Sequence, residues 1–318
     1  MIYSITFNPA LDVSGIVDNL IPNEKSYVHD EVYTPGGNGV NAGIIAHRLG
    51  ARVALSGFLG GANGDVICSL LDKEKIVHNF IETKSNTRIN LTISNRHDHQ
   101  QTRLSFPGGH VAIAEWKKLR NYLNKVTNKD IIIIGGSLPP GISTQNISML
   151  IRKLIKKNVL CMVDCPANTL KDLILSKPSF IKPNLQEFQE LTKSRVTTVS
   201  AVLKEIKKLH RYVPLICVSS VEGGAILASE HEAWFGRTPP LTIRSTVGAG
   251  DSMVGAIAYQ LALDPTTSLK ELLKIGLAAS SATLSNKGMI LGSRKEIRIF
   301  LKKIKVTNLF TMRGEDGR

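Results

Sequence analysis

The sequence predicts an α/β fold: a mainly parallel central β-sheet flanked by helices, with a small β-sheet lid. Three observations carry this reading. Short, continuous apolar runs bounded by turn residues have the pattern of strands buried on both faces. Longer amphipathic segments alternate with them at the spacing of strand–helix–strand crossovers. Two β-branched, charged segments, 13–34 and 85–107, break the alternation and show no helical period.

The first strand is "YSITF" (3–7), and "NAGIIAHRLGA" (41–51) is a helix ended by Gly50. "RVALSGFLG" (52–60) is a strand running into the turn "GGANGD", after which "VICSLLDKEKI" (66–76) is helical. "DIIIIGG" (130–136), "VLCMVDC" (159–165), "SFIKPN" (179–184) and "PLICVSS" (214–220) supply further buried strands. Helical segments at 142–157, 166–176, 185–192 and 198–210 separate them. Within the second irregular segment, Thr87, Ile89, Leu91 and Ile93 share one strand face, while Arg88, Asn90 and Thr92 share the other. The expected division is a main body of 1–12, 35–84 and 108–306, a lid of 13–34 and 85–107, and a tail of 307–318. The end of that tail, "TMRGEDGR", has the composition of a frayed terminus.

Composition narrows the function classes. The chain has 318 residues, 42% hydrophobic and 21% charged, the balance of a soluble globular protein able to bury a core without staples. Its net charge of +14 points to anionic partners. The lysines fall mostly in helical runs such as "IRKLIKKN" and "LKEIKKLHR", where they make a solvated face. No aromatic residues are interleaved with them, so nucleic acid is not an expected partner. Cys68, Cys161, Cys165 and Cys217 form no C-x-x-C, and no run reaches the roughly 18 apolar residues of a membrane span. A reduced, cytoplasmic protein that avoids the membrane is the expectation.

Two glycine clusters hold the candidate chemistry. "PGGNGVNAG" (35–43) precedes a helix and places Gly37 in the loop and Asn41 in the first turn. Bare N–H groups there suit an anionic or hydroxylated ligand; a tight strand-to-helix turn explains the glycines equally well. Neither this cluster nor "GGANGDV" has the spacing of a dinucleotide fingerprint or a P-loop. In "TVGAGDSMVGA" (246–256), Gly248, Ala249 and Gly250 stand at the mouth of an apolar helix, where several N–H groups lack intrahelical partners. Such a cradle fits an oxyanion. Asp251 next to it is either a helix cap or a general base, and a base beside an anion pocket describes phosphoryl transfer to an alcohol.

"TVGAGDSMVGA" resembles the signature of the ribokinase-like sugar kinases, the family that includes the minor bacterial phosphofructokinase. "NPALD" (8–12), "PGGNGVNAG", "TRIN" (87–90), "GGSLPPG" (135–141) and "KPNLQE" (182–187) follow the family's order and spacing. The resemblance implies an ATP-dependent kinase with Asp251 as base and Gly248, Ala249 and Gly250 as anion hole. It implies sugar contacts at Asp12, Gly37 and Asn41. Nucleotide contacts would come from Lys182, Asn184, Ser219, Gly224, Gly248, Gly250 and Asn286. Asn184 and Glu187 would support the Mg²⁺ that accompanies ATP. Lys25, Arg88 and Ser137 match the branch whose acceptors already carry a phosphate, namely 1-phosphofructokinases, minor 6-phosphofructokinases and tagatose-6-phosphate kinases.

Two departures stand out: Asn38 replaces the lysine of a "GGKG" variant, and Val221 replaces the first glycine of "V-S-x-G-x-x-G". The expected activity is phosphorylation of a ketohexose phosphate to a bisphosphate. Fructose 1-phosphate and fructose 6-phosphate lead, with tagatose 6-phosphate third. A kinase for an unphosphorylated sugar or nucleoside, and a non-catalytic sugar-phosphate sensor, are the alternatives. The apolar face of 87–93 suggests lid-to-lid pairing in a homodimer.

Overall fold

The computed structural model describes residues 1–98 and 100–310. The strands of its first half are β1 (Ile2–Thr6), β2 (Ala10–Val17), β3 (His29–Gly36), β4 (Val53–Leu59), β5 (Val77–His78), β6 (Ile81–Glu82), β7 (Arg88–Asn95) and β8 (Gln101–Ser105). They are followed by β9 (Ile131–Gly135), β10 (Leu160–Asp164), β11 (Phe180–Ile181), β12 (Leu215–Val221), β13 (Gly224–Ala228), β14 (Ala233–Arg237) and β15 (Val306–Asn308). The helices are α1 (Asn38–Leu49), α2 (Gly61–Lys73), α3 (Ile113–Tyr122), α4 (Thr144–Lys156) and α5 (Ala167–Leu173). The remainder are α6 (Leu185–Thr192), α7 (Val199–Leu209), α8 (Ala249–Leu263), α9 (Leu269–Leu284) and α10 (Arg294–Leu301).

The continuous apolar runs do form a doubly covered sheet. Its order is β15-β14-β13-β12-β11-β10-β9-β1-β4-β5, with β6 also on β4. From β12 to β5 the pairs are parallel, and the β12–β15 edge is antiparallel. Strand alternation divides the core in two: Ile131 and Ile133 of β9 join the cluster under α1, α8 and α9. Ile132 and Ile134 join the cluster under α3, α4 and α7. No helix among the described residues is long and apolar enough to cross a membrane.

Several boundaries differ from expectation, each for a local reason. α2 begins at Gly61, so "GGANGD" is its first turn; packing of Gly64 against Leu59 overrides the low helix propensity of glycine. β11 shrinks to Phe180–Ile181 because Pro183 cannot donate to the ladder. The expected tail starts inside the sheet, where β15 pairs Val306, Thr307 and Asn308 with β14. The frayed end expected at 311–318 lies outside the described residues.

A second, four-stranded sheet has the order β3-β2-β7-β8 and stands off the first. It reaches past the expected lid limits, since β2 begins at Ala10 and β3 ends at Gly36. Its register aligns Thr34, Asp12, Asn90 and Ser105 in one cross-strand row, and Tyr33, Val13, Leu91 and Leu104 in the next. Because successive residues face opposite sides, the sheet has one polar face and one apolar face. The polar face is turned toward the ends of the parallel strands.

Candidate active site

The carboxyl ends of β10, β11 and β12, the starts of α1 and α8 and the polar face of the lid enclose a cavity of about 750 Å³. Ligands of open α/β sheets characteristically bind at this end of the strands. Gly248 caps α8 with φ +74°, a left-handed conformation that favours glycine. The amides at Ala249, Gly250 and Asp251 form the first turn and have no intrahelical acceptor. The structure therefore gathers these amides at the mouth of α8, where the local sequence places them.

Asp251 lines the cavity beside these amides. Its Oδ2 accepts a hydrogen bond of 2.8 Å from the Asn41 side-chain amide on α1. A close helix crossing makes that bond possible: a Cβ at Gly255 would stand 2.1 Å from the Ala42 carbonyl oxygen. Asn41, expected to contact a sugar, thus also orients the carboxylate. Burial first, and Asp164 second, push the Asp251 carboxyl up to about 7, against the opposing effects of Asn41 and Lys182. That exceeds the ordinary carboxylate range expected of it and suits a base working near neutrality.

Behind the cradle lies an ion pair that the local sequence did not reveal. Lys182 Nζ stands 3.3 Å from Asp164 Oδ1, and both side chains are buried. Burial pulls the lysine pKa down, but Asp164, then Asp251 and Glu187, outweigh it and hold the ammonium charged. A Cβ at position 250 would lie 2.9 Å from Nζ, so the lysine presses directly against the Gly250 backbone. The Asn38 amide donates to the other Asp164 oxygen at 3.3 Å, which gives the residue at the variant lysine position a purpose here. An acidic residue closing the run "VLCMVD" at the end of a parallel strand was the available signal for Asp164.

Asn184 and Glu187 are tied to each other in a capping box. Glu187 N–H donates to Asn184 Oδ1 at 2.9 Å, and Asn184 N–H donates to Glu187 Oε2 at 2.8 Å. Burial raises the Glu187 carboxyl above its ordinary value, opposed by the Asn184 bond and by Lys182. Its second oxygen, Oε1, has no hydrogen-bond partner among the described residues, and the side chain lines the cavity. No cluster of three or more acidic, histidine or cysteine ligands occurs among the described residues. One free carboxylate oxygen fits a hard cation that keeps most of its waters.

The lid supplies the opposite wall. Asp12 is buried, and its Oδ1 accepts a 2.8 Å bond from the Asn90 amide. Burial pushes its carboxyl up to about 6, against Asn90 and Arg88. Arg88 is no solitary surface arginine: it donates to the Asn8 carbonyl at 2.9 and 3.2 Å and to the Phe106 carbonyl at 3.3 Å. Arg103 on β8 spans the mouth and donates to Thr246 Oγ1 at 3.0 Å. Two guanidinium groups therefore face the cavity from one sheet.

Gly37, Ser219 and Gly224 also line the cavity, whereas Lys25, Ser137 and Asn286 do not. Lys25 sits over the Tyr27 ring at 4.8 Å, and the Asn286 N–H donates to the Thr283 carbonyl at 3.1 Å. Ser137 Oγ accepts from Asn8 Nδ2 at 3.1 Å, so it reaches Arg88 through Asn8. Val221 is fully buried in the core, and Ser220 takes the strained φ of +63° in its place. The backbone at Ser219, Ser220, Gly223 and Gly224 still faces the cavity, so the missing glycine does not close it.

Known proteins share this sequence pattern and fold. The ATP-dependent 6-phosphofructokinase isozyme 2 of Escherichia coli strain K12 is 32% identical over 299 residues, which cover 93% of this chain and 96% of that protein. The 1-phosphofructokinase of Borreliella burgdorferi is 28% identical over 314 residues, 98% of this chain and 100% of that one. A crystal structure of Escherichia coli phosphofructokinase-2 in complex with substrates and products superposes with a TM-score of 0.90 at 30% identity, covering 95% of this chain and 98% of that chain. The pfkB family carbohydrate kinase pattern matches residues 4–296. This chain belongs to the pfkB family of carbohydrate kinases.

Proposed function

We propose that the protein transfers the γ-phosphoryl group of ATP to a hydroxyl of a ketohexose phosphate, giving a bisphosphate. Fructose 1-phosphate and fructose 6-phosphate are the leading acceptors, and tagatose 6-phosphate is the third. The observation that carries this reading is the joint placement of Asp251 with the Ala249–Gly250 amides on one wall and Arg88 with Arg103 on the other. The first pair handles a transferring phosphoryl group; the second recognises a phosphate already present.

Asp251 accepts the hydroxyl proton as the sugar oxygen bonds to γ-phosphorus, and the bond to the ADP oxygen breaks with its electron pair leaving on ADP. The amides at 248–250 and the Lys182 ammonium disperse the developing negative charge. Asp12 accepts from sugar hydroxyls, and Arg88 holds the acceptor's own phosphate. Glu187, with Asn184 fixing its rotamer, would hold Mg²⁺, which supplies positive charge to the nucleotide phosphates when bound. Closure of the lid over the cavity excludes water.

The apolar lid face, with Tyr33, Leu104 and Phe106 about half exposed, supports pairing of two lids in a homodimer. Free thiols at all four cysteines support a cytoplasmic setting. The test is ADP release coupled to a reporter, run over the three ketohexose phosphates and their unphosphorylated sugars. Turnover with one phosphosugar and little with free sugar is expected. A preference for an unphosphorylated acceptor rejects the lid assignment, and absence of turnover with every acceptor rejects the kinase reading.

A further inference from the structure

The anion cradle is wired to the loop between α9 and α10, whose Met289 lines the cavity. Gly248 O accepts two hydrogen bonds, one of 2.8 Å from the Ser252 backbone N–H and one of 2.7 Å from Ser252 Oγ. Ser252 Oγ lies 2.7 Å from Thr283 Oγ1 on α9, and Thr283 Oγ1 accepts a 2.9 Å bond from Gly292 N–H. Ser252, Thr283 and Gly292 are all buried.

Only one arrangement of the two hydroxyl protons satisfies this chain. A carbonyl can only accept, so Ser252 must donate to Gly248. An amide N–H can only donate, so Thr283 receives from Gly292 and its proton is free to go to Ser252. The result is a one-way sequence, Gly292 N–H to Thr283 O–H to Ser252 O–H to Gly248 carbonyl. Each donor in such a chain polarises the next. The last acceptor is the carbonyl of the Gly248–Ala249 peptide, whose N–H is the Ala249 amide of the cradle. Electron density drawn onto that carbonyl leaves the amide hydrogen more positive.

Both ends of the chain are held. Arg48 donates to the carbonyls of Leu291 and Gly292 at 2.9 and 3.4 Å, and is itself anchored by a 2.9 Å bond to Glu74. Three residues earlier in the same loop, Met289 Sδ accepts from Thr92 Oγ1 of the lid at 3.9 Å. The loop between α9 and α10 therefore touches the lid at one point and the cradle's wiring at another.

We infer that Ser252 and Thr283 are positioning residues for phosphoryl transfer, which strengthen the Ala249 amide as a donor to the transferring group. The inference rests on the kinase reading above, and its effect belongs to the transition state, where charge on the transferred group changes most. Removing a whole oxyanion donor costs roughly a hundred- to a thousandfold in kcat; weakening one corresponds to roughly tenfold.

The experiment compares wild type, Ser252→Ala, Thr283→Val, Thr283→Ser and the Ser252→Ala/Thr283→Val double variant. Measured are kcat, KM for ATP and phosphosugar, thermal unfolding, and affinity for two probes in the presence of phosphosugar. The probes are ADP with aluminium fluoride, which mimics the transferring group, and a non-hydrolysable ATP analogue. Expected are a roughly tenfold fall in kcat for each hydroxyl deletion, KM values within about twofold, and weaker binding of the aluminium fluoride complex alone. Thr283→Ser restores the wild-type values. The double variant is no worse than either single, since a chain broken once is broken. Deletions that leave kcat within about twofold overturn the inference while wild-type turnover keeps the kinase reading intact, as does equal weakening of both probes or failure of Thr283→Ser to rescue. If Ser252→Ala does not fold, the Thr283→Val and Thr283→Ser pair decides alone. A wild type with no turnover on any acceptor overturns the kinase reading and this inference together.

Discussion

The two walls of the cavity are built in opposite ways. The α8 wall is assembled from helix starts and the ends of parallel strands, with core on both faces of the sheet beneath it. Its polar groups are locked: Asp251 to Asn41, Lys182 to Asp164, Asn184 to Glu187. The lid wall is a four-stranded sheet whose outer face leaves Tyr33 and Leu104 about half exposed. Its charged groups are placed by strand alternation and held by neighbours in or beside the thin sheet: Asp12 by Asn90, Arg88 by the Asn8 and Phe106 carbonyls. On the proposed function, chemistry that needs fixed distances is on the rigid wall, and recognition that must admit and release a ligand is on the thin one.

The sharpest way to break that division is Asp251→Asn. An amide at 251 can still accept from Asn41, so the local geometry survives while the base is lost. We expect kcat to fall by about a thousandfold or more, with both substrates still bound. Unfolding should occur at an equal or higher temperature, because an ionised carboxylate is removed from a site that disfavours it. Turnover within about tenfold of wild type would take proton abstraction away from this wall.

Arg88→Ala probes the other wall. A charge-assisted bond to phosphate contributes about 1.5–3 kcal/mol, so KM for the phosphosugar should rise roughly ten- to a hundredfold. KM for ATP should stay within about twofold, since Arg88 stands on the sheet opposite the cradle. Equal losses for both ligands would show that the lid does not discriminate between them. Gly255→Ala then tests how the rigid wall is held. A Cβ 2.1 Å from the Ala42 carbonyl oxygen forces α8 away from α1. The expected cost is about 1–3 kcal/mol in denaturant unfolding, with kcat falling as Asn41 loses its hold on Asp251. Unchanged stability would mean that the crossing is looser than drawn.

The same contrast explains what was legible in the sequence. Gly248, Ala249, Gly250 and Asp251 are neighbours in the chain, so their shared helix start could be read locally. The alternation in "TRIN" fixed the polar face of β7, and the register confirms Arg88 and Asn90 on the side of Asp12. Asp164 was passed over because its meaning depends on Lys182, eighteen residues away on a different strand end. Asn41 lines the cavity as expected of a ligand contact, and its bond to Asp251, 210 residues away, has no local signal. Asn8, which joins Arg88 to Ser137, is equally invisible until β2 pairs with β7 and β1 with β9. Composition carried the least, because the +14 charge is spread over helices and loops while only Arg88, Arg103 and Lys182 line the cavity.

The smallest effect, and the one that separates the walls most finely, is the pH profile of kcat/KM. Burial raises both cavity carboxyls, Asp251 to about 7 and Asp12 to about 6. The sign is the same for both: each is neutral below its pKa, and each is needed as an acceptor. Asp251 is faced by Asp164, Asn41, Lys182 and, with the smallest effect, Asp12; Asp12 is faced by Asn90 and Arg88. From pH 8 down, kcat/KM should bend near 7 and fall about tenfold per unit, then steepen toward a hundredfold per unit below about 6. In Asp12→Asn the second bend should vanish while the first stays, moved slightly to lower pH because the Asp12 charge no longer raises the Asp251 carboxyl. Loss of both bends in that variant would mean that the two carboxylates titrate as one unit across the cavity, and that the lid takes part in setting the base.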